Sequence, residues 1–249
     1  MFSDLPLPAL LALIGVLLFS LSFHEAAHAW MADRCGDTTA RERGRVTLNP
    51  LKHLDPFLSV ILPGLMIAFG VPPLAGGKPV PVDVRRLRNP SRDFMFVAVA
   101  GPLSNLLLAA IFGLAFVLCI WQGLFVTWIS NPYDPGHPTP HVPSILGGDG
   151  ADNPWFFALQ MGLLLNISLA LFNLLPIPPL DGSRIIGWLL PGRLKMTWYR
   201  LDRFAVFIIL GLYLALNFTG LGGYISSSIV HAWFSAATTV DNLAWRMVT

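Results

Sequence analysis

The sequence predicts an all-α membrane protein, a polytopic helical bundle of about four to six spans with a short re-entrant or β-hairpin element after the first span. Mean hydropathy is +0.62, and only 12% of the residues are charged, about half the usual fraction. Since a helix needs about 20 apolar residues to cross the hydrocarbon, several uncharged stretches are long enough to span it. They are residues 5–23, 56–77, 94–133, 153–180 and 204–240.

The elements follow from these stretches in chain order. The first span covers about 5–31, and the longest span lies within 94–129. The third span, 155–175, runs into the proline-interrupted turn "NLLPIPPLDG" and a short amphipathic helix near 183–190. A last span at about 204–218 leads to a weaker apolar C-terminal segment.

Charge asymmetry predicts which side each loop occupies. The first basic loop (32–55), the second (78–92) and the third (184–203) are rich in Lys and Arg, which places them in the cytoplasm. The loop 130–154 has three aspartates and no basic residue, and is therefore external. The apolar piece 57–71 lies between two cytoplasmic loops and contains proline, so it is interpreted as re-entrant, with a short ordinary span as the alternative.

The end of the first span carries the motif "HEAAH". His24 and His28 are four residues apart, about 400° of helical rotation, so both imidazoles project from one face and can hold one metal ion. Glu25 lies about 100° around the helix, where it can reach a metal-bound water without ligating the metal. Two histidine ligands with a glutamate base are typical of zinc metalloproteases. With 6 His and 2 Glu in the chain, chance gives the motif in roughly one such chain in a thousand.

An ionisable side chain within a membrane helix also points to function. Its insertion costs roughly 2.5 kcal/mol or more, so such residues are rare unless they have a role. Glu25 stands inside the first predicted span. A polar cluster that merely ends the helix is the alternative, but it explains neither the spacing of the histidines nor the glutamate.

A catalytic zinc needs a third protein ligand, and His53, Asp55 and Asp181 are candidates at the same cytoplasmic depth. The prolines before Asp181 can break the helix and turn its carboxylate back into the bundle. Asp181 could equally be the N-cap of the short helix that follows. Spacing alone leaves these alternatives open.

Together, "HEAAH" and "NLLPIPPLDG" resemble the site-2 protease family of intramembrane zinc metalloproteases. That family pairs HExxH with N-x-x-P-x-x-x-L-D-G, and the second motif matches position for position at Asn173, Pro176, Leu180, Asp181 and Gly182. The segments "GRVTLNPLKHLDP", "KPVPV" and "AGPLSN" look like the compact branch without PDZ or CBS domains. The resemblance covers about residues 20–190. It implies one membrane-embedded metalloprotease domain over 1–249, with a catalytic core at about 5–190 and C-terminal spans at about 203–240.

The resemblance also implies a site and an activity. One Zn²⁺ per chain would be held by His24, His28 and Asp181, with Glu25 as the catalytic base. Asn173 is expected to hydrogen-bond near the substrate backbone or the developing oxyanion, with a helix–helix hydrogen bond as the alternative. The expected function is an intramembrane zinc endopeptidase that hydrolyses peptide bonds within or near transmembrane segments.

Three further segments carry weaker predictions. "RVTLN", residues 45–49, is a candidate strand whose edge could receive an unwound substrate, with an ordinary structural hairpin as the alternative. His53 is either a group close to the substrate or, more simply, a loop or interface residue. In "AGPLSN", Gly101 and Asn105 favour close helix packing, with Asn105 able to bond across helices.

A metal-ion transporter is the competing function. It would need a chain of polar sites across the bilayer and often internal repeats, whereas residues 94–133 carry no charge. The predicted partners are transmembrane protein substrates and the lipid bilayer, with no nucleic acid. The predicted location is the cell membrane, as a multi-pass protein with its active site toward the cytoplasm.

Overall fold

The computed structural model describes residues 6–55, 78–124, 127–131, 134–141, 152–204, 207–208 and 211. Helices dominate these residues, with one short pair of strands. In chain order the elements are α1 (Leu7–Arg34), α2 (Thr39–Glu42), α3 (Pro90–Trp121), β1 (Thr127–Asn131), β2 (Asp134–His141), α4 (Pro154–Asn173), α5 (Asp181–Leu189) and α6 (Gly192–Arg200).

Three of these helices, α1, α3 and α4, are long and apolar enough to cross a membrane. They confirm the predicted all-α membrane bundle, and the chain is a multi-pass membrane protein. The predicted segment 57–71 and nearly all of the last predicted spans lie outside the described residues.

Both α3 and α4 begin at a proline that follows an asparagine, although different side chains form the hydrogen bonds at the two starts. The side chain of Asn153 accepts a hydrogen bond from the backbone N–H of Trp155 at 3.1 Å. The backbone N–H of Asn89 donates to the carboxylate of Asp93 at 2.8 Å. Because proline at the first helical position loses no hydrogen bond, both helices begin where a polar loop meets an apolar run. This pattern starts α3 four residues earlier than charge alone predicts.

The end of α1 is set by a glycine. Gly36 has a φ of 108°, a conformation that residues with a side chain rarely adopt. The backbone N–H of Asp37 reaches back to the carbonyl of Ala32 at 2.9 Å, which satisfies one of the last carbonyls of the helix. The helix that carries "HEAAH" therefore continues to Arg34, three residues beyond the predicted end.

The chain divides into two compact units. Unit one comprises Met1–Val16, Leu108–Leu165 and Phe204–Thr249, and unit two comprises Leu17–Leu107 and Asn166–Arg203. The described core of unit one brings together small and aromatic side chains from three helices. The Phe116 and Phe156 rings lie 5.3 Å apart, and Phe157, Met161 and Leu164 pack with Ala9. The single domain over 1–249 stays a prediction.

The longest predicted span, within 94–129, is wrong at its end, because α3 ends at Trp121 and an unpredicted hairpin begins at Thr127 and continues into the loop predicted to be external. Strands β1 and β2 pair antiparallel, with Thr127 opposite His141 and a register irregularity between Ile129 and Asn131. Three prolines in β2 argue against a strand when the sequence is considered alone. Among the described residues the sheet has only these two strands, and prolines are tolerated at the edge of a sheet.

In unit two the basic loops contact one another. The carboxylate of Asp37 in the first basic loop accepts the backbone N–H of Asp83 at 2.6 Å. Lys195 of the third basic loop donates to the hydroxyl of Ser91 in the second at 2.7 Å. Loops that touch lie at the same end of their helices, in agreement with the charge pattern that assigns all three to one side.

No strand forms at residues 45–49, which are fully described. The backbone bends there instead, because polar side chains bind nearby backbone groups. The Asn49 side chain accepts the N–H of Leu51 at 3.0 Å and caps a short 3₁₀ turn, Pro50–Lys52. The carbonyl of Thr47 contacts the His53 ring at 2.8 Å. The strand predicted in "RVTLN" is therefore absent.

Candidate metal centre

The two histidines of "HEAAH" lie on one face of α1, within unit two. His24 and His28 are 5% and 8% exposed, and their rings meet edge to face with centroids 4.6 Å apart. The Nδ1 atom of His28 contacts the backbone carbonyl of Val97 on α3 at 2.7 Å. Since that carbonyl can only accept, Nδ1 carries a proton, and Nε2 is the nitrogen available to a metal. The helical spacing therefore brings both Nε2 atoms to one point, as predicted.

Asp181 is brought to the same point by the turn that follows α4. It is the first residue of α5. The N-cap position belongs to Leu180, and no side-chain hydrogen bond caps the helix. Asp181 is therefore not the helix cap, and this settles one alternative that the spacing left open.

The glycine after Asp181 has a steric reason. A Cβ at Gly182 would lie 2.2 Å from the Leu174 carbonyl oxygen and 2.4 Å from that of Leu175. Backbone atoms at that distance cannot yield as a flexible side chain would. The start of α5 packs directly against the carbonyls that follow α4, so only glycine fits beside Asp181.

The three side chains have the spacing of ligands around a single ion. The Nε2 atoms of His24 and His28 are 3.0 Å apart, and each lies 3.3 Å from Oδ2 of Asp181. A tetrahedral zinc with bonds of about 2.0–2.2 Å places neighbouring ligand atoms about 3.3–3.6 Å apart. That oxygen is buried and has no well-aligned hydrogen bond within the described part of the chain. Two nitrogens and one carboxylate oxygen fit zinc in donor type and in spacing.

The electrostatics keep Asp181 in the form that a metal requires. Burial by itself raises the pKa of this carboxyl, but its interactions with His24 and His28 outweigh burial and hold the pKa at about 2. The carboxylate is therefore ionised throughout the neutral range, and an ionised carboxylate is the form that binds a metal.

Gly101 on α3 is a residue of this centre that the sequence analysis assigned only to helix packing. A Cβ at this position would lie 2.4 Å from the His28 ring and 2.6 Å from Cε1 of His24. The bare backbone of α3 thus forms the wall against which both imidazoles rest. A glycine within a helix costs roughly 1 kcal/mol relative to alanine, and this close approach accounts for its presence.

Gly101→Ala is expected to weaken zinc binding roughly tenfold or more, because the new methyl group must displace both imidazoles. Zinc affinity measured by chelator competition on the purified protein in detergent checks this. Gly15→Ala is the matched control, since a Cβ at Gly15 meets nothing within 4 Å. Equal zinc affinity in the Gly101 and Gly15 variants would contradict the contact.

Glu25 and Asn173 have different surroundings. Glu25 follows His24 directly on α1 and is half-buried. The carboxamide nitrogen of Asn173, the last residue of α4, donates to the Leu169 carbonyl of its own helix at 3.0 Å. That bond is within one helix rather than between helices, and a role toward substrate stays a prediction.

Of the three candidates for the third ligand, only Asp181 joins the histidines. The described cluster of metal-binding side chains contains neither His53 nor Asp55. His53 is 1% exposed, with Nε2 on the Thr47 carbonyl and its own carbonyl accepting the Lys78 N–H at 2.8 Å. His53 thus links the first and second basic loops, as expected of a loop or interface residue.

Comparison with known proteins agrees with this geometry. A model of peptidase family M50 matches residues 12–216. YwhC of Bacillus subtilis, named as a candidate zinc metalloprotease, is 36% identical over 229 residues, which cover 91% of this chain and 89% of that protein. Rip2 of Mycolicibacterium smegmatis, named in the same way, is 36% identical over 165 residues, 66% of this chain and 52% of that protein. Rip2 of Mycobacterium tuberculosis is 32% identical over 203 residues, 82% of this chain and 66% of that protein.

No solved structure matches the chain. The family assignment therefore rests on sequence, through the M50 model over most of the chain and through relatives named for zinc. The donor set described above is the one that a zinc enzyme of this kind requires. The chain belongs to peptidase family M50, the site-2 protease family of zinc metalloproteases.

Proposed function

We propose that this zinc metalloprotease is an intramembrane endopeptidase that hydrolyses peptide bonds within or near transmembrane segments of membrane proteins. The observation that carries the proposal is the convergence of His24, His28 and Asp181 within 3.3 Å of one another. The two histidines lie on a helix long and apolar enough to cross a membrane, and Asp181 follows a second such helix. A metal centre built there meets substrates that are themselves in the bilayer.

Each side chain has a proposed task. His24, His28 and Asp181 hold Zn²⁺, which when bound polarises a carbonyl and brings the pKa of a bound water toward neutrality. Glu25 accepts the proton of the attacking water on its carboxylate. As the C–N bond of the substrate breaks, Glu25 donates that proton to the leaving amine. The Val97 carbonyl holds His28 through Nδ1 and so fixes the orientation of its ring.

Asn173 is proposed to act on the substrate. Its carboxamide nitrogen uses one hydrogen on Leu169, which leaves a second N–H and the carboxamide oxygen. A substrate helix must unwind before it is cut, and its freed backbone groups need new partners in a membrane. A carboxamide offers both a donor and an acceptor to such a backbone.

The centre is proposed to face the cytoplasmic side of the cell membrane. His28 lies six residues before the end of α1 at Arg34, about 9 Å along the helix axis. That end leads into the first basic loop, and the contacts among the three basic loops support a common side for them. Water would reach the centre from these polar loops. Transmembrane proteins and the bilayer are the proposed partners, with no role for nucleic acid.

The experiment compares new protein termini in membrane fractions from cells that express the wild type or His28→Ala. Termini found only with the wild type should fall within or beside transmembrane segments, in their cytoplasmic half. Termini confined to soluble domains would contradict an intramembrane site, and termini in the external half would contradict the orientation. A metal transporter would give no termini that depend on His28, and zinc uptake by vesicles would depend on it instead.

A further inference from the structure

The two histidines of the metal centre are supported unequally. Nδ1 of His28 contacts the Val97 carbonyl at 2.7 Å, whereas Nδ1 of His24 is buried without a hydrogen-bond partner within the described residues. A histidine that binds metal through one nitrogen almost always donates the N–H of the other to an oxygen. The surroundings of His24 should therefore supply such an oxygen.

The register between α1 and α3 indicates where that oxygen lies. Val97 contacts His28, and Gly101 rests against both His28 and His24. Residue numbers therefore rise along α3 as they fall along α1, so the two helices run antiparallel, with contacts about one helical turn apart. By this register, one further turn along each helix leads to Asn105 on α3 and Ser20 on α1.

The usual lean of helical side chains favours an approach between Asn105 and His24. Side chains on a helix lean toward its N-terminus, so Asn105 leans back toward Gly101 and the imidazoles. By the same rule His24 leans along α1 toward Ser20. Because the helices are antiparallel, the two side chains lean toward each other.

Buried polar side chains lie about one turn beyond the metal centre along α1 and along α3. Asn105, Ser20 and Asn166 each have 0% exposure. The Asn166 carboxamide donates to the Ser20 hydroxyl at 2.8 Å. Neither the oxygen nor the nitrogen of the Asn105 carboxamide has a partner among the residues that the structure describes. A buried carboxamide without a partner is costly, as is a buried imidazole nitrogen without one, and one shared partner would satisfy both.

We propose that Asn105 is a positioning residue for His24. One internal water molecule accepts the Nδ1–H of His24 and donates to the carboxamide oxygen of Asn105. The water thereby fixes the His24 ring as the Val97 carbonyl fixes that of His28. This inference rests on the proposed function, because it takes His24 as a metal ligand through Nε2.

The test measures zinc affinity of the purified protein by chelator competition. Asn105→Leu removes the acceptor and is expected to weaken zinc binding by about 10- to 100-fold. Asn105→Asp keeps an oxygen in the same place and should retain at least wild-type affinity. Asn166→Leu is the matched control, since it alters the same residue type at the same burial and should leave zinc affinity unchanged.

A second readout follows ligand orientation. The visible absorption bands of the Co²⁺-loaded protein should shift in Asn105→Leu and match the wild type in Asn166→Leu. If Asn105→Leu does not fold, Asn105→Ala makes the same test with a smaller side chain. Wild-type affinity in the leucine or alanine variant would overturn the inference, as would an equal loss in Asn166→Leu.

Results that contradict the metal centre itself differ from results that contradict the role of Asn105. A wild-type protein that binds no zinc, or a His28→Ala variant that binds it as tightly as the wild type, would overturn the centre. Loss of zinc in His28→Ala together with no effect at Asn105 would overturn the inference about Asn105 alone.

Discussion

Glu25→Gln is expected to abolish peptide-bond hydrolysis while zinc stays bound at about one ion per chain. Glutamine keeps the shape of the side chain but cannot accept the proton of the attacking water. Loss of a general base lowers the rate by about 10²- to 10⁴-fold. Glu25 is outside the cluster that can hold the metal, so zinc affinity should not depend on its charge.

Metal analysis of the purified protein and an assay of cleavage in liposomes with a cleaved membrane protein would check this result. Glu42→Gln is the natural control, because Glu42 is the only other glutamate of the chain. It pairs with Arg86 at 3.1 Å in the basic loops. Substantial cleavage by Glu25→Gln, or loss of its zinc, would show that Glu25 is not the base.

Asp181→Asn is expected to lose both zinc and activity. The substitution keeps the volume of the side chain but replaces an ionised oxygen ligand with a neutral one. The pKa of Asp181 lies at about 2, below the ordinary aspartate value, so the charge is present at every pH above the acid range. The loss should therefore be as large at pH 8 as at pH 6.

The measurements are zinc content after dialysis and cleavage of the same substrate. Asp83→Asn serves as control, since Asp83 is a half-buried loop residue outside the metal cluster, whose carboxylate accepts the Arg85 N–H. Full zinc content and full cleavage in Asp181→Asn would remove Asp181 from the ligand set. His53 and Asp55 would then be the next candidates.

The sequence predicts the histidine half of the centre well, because the i, i+4 spacing on a helix fixes both imidazoles on one face. Asp181 is harder, since a carboxylate after a proline-interrupted turn can be a cap or a ligand. Only the family resemblance favoured the ligand before the three-dimensional arrangement was known. Gly182 makes the close turn between α4 and α5 possible, because without a Cβ the start of α5 can pack against the carbonyls of Leu174 and Leu175.

Other features depend on how distant segments meet, which one-dimensional patterns do not encode. Gly101 is apolar and helical in sequence, and only the register of α1 against α3 brings it to the histidines. The prolines of β2 argue against a strand, and the pairing with β1 that accommodates them cannot be seen in the sequence. In "RVTLN", the β-branched pair favours a strand, but the side chains of Thr47 and Asn49 accept hydrogen bonds from nearby backbone N–H groups and the chain bends instead.

The order of the proposed ligands along the chain has a consequence for biosynthesis. His24 and His28 leave the ribosome early, whereas Asp181 follows more than 150 residues later and only after α4 has been made. A nascent chain therefore has two of three ligands for most of its synthesis, and it cannot complete the centre until α4 and the turn after it are in place. The enzyme would acquire its catalytic metal late, after its membrane helices have assembled, so incomplete chains would pose little proteolytic hazard to the proteins inserted beside them.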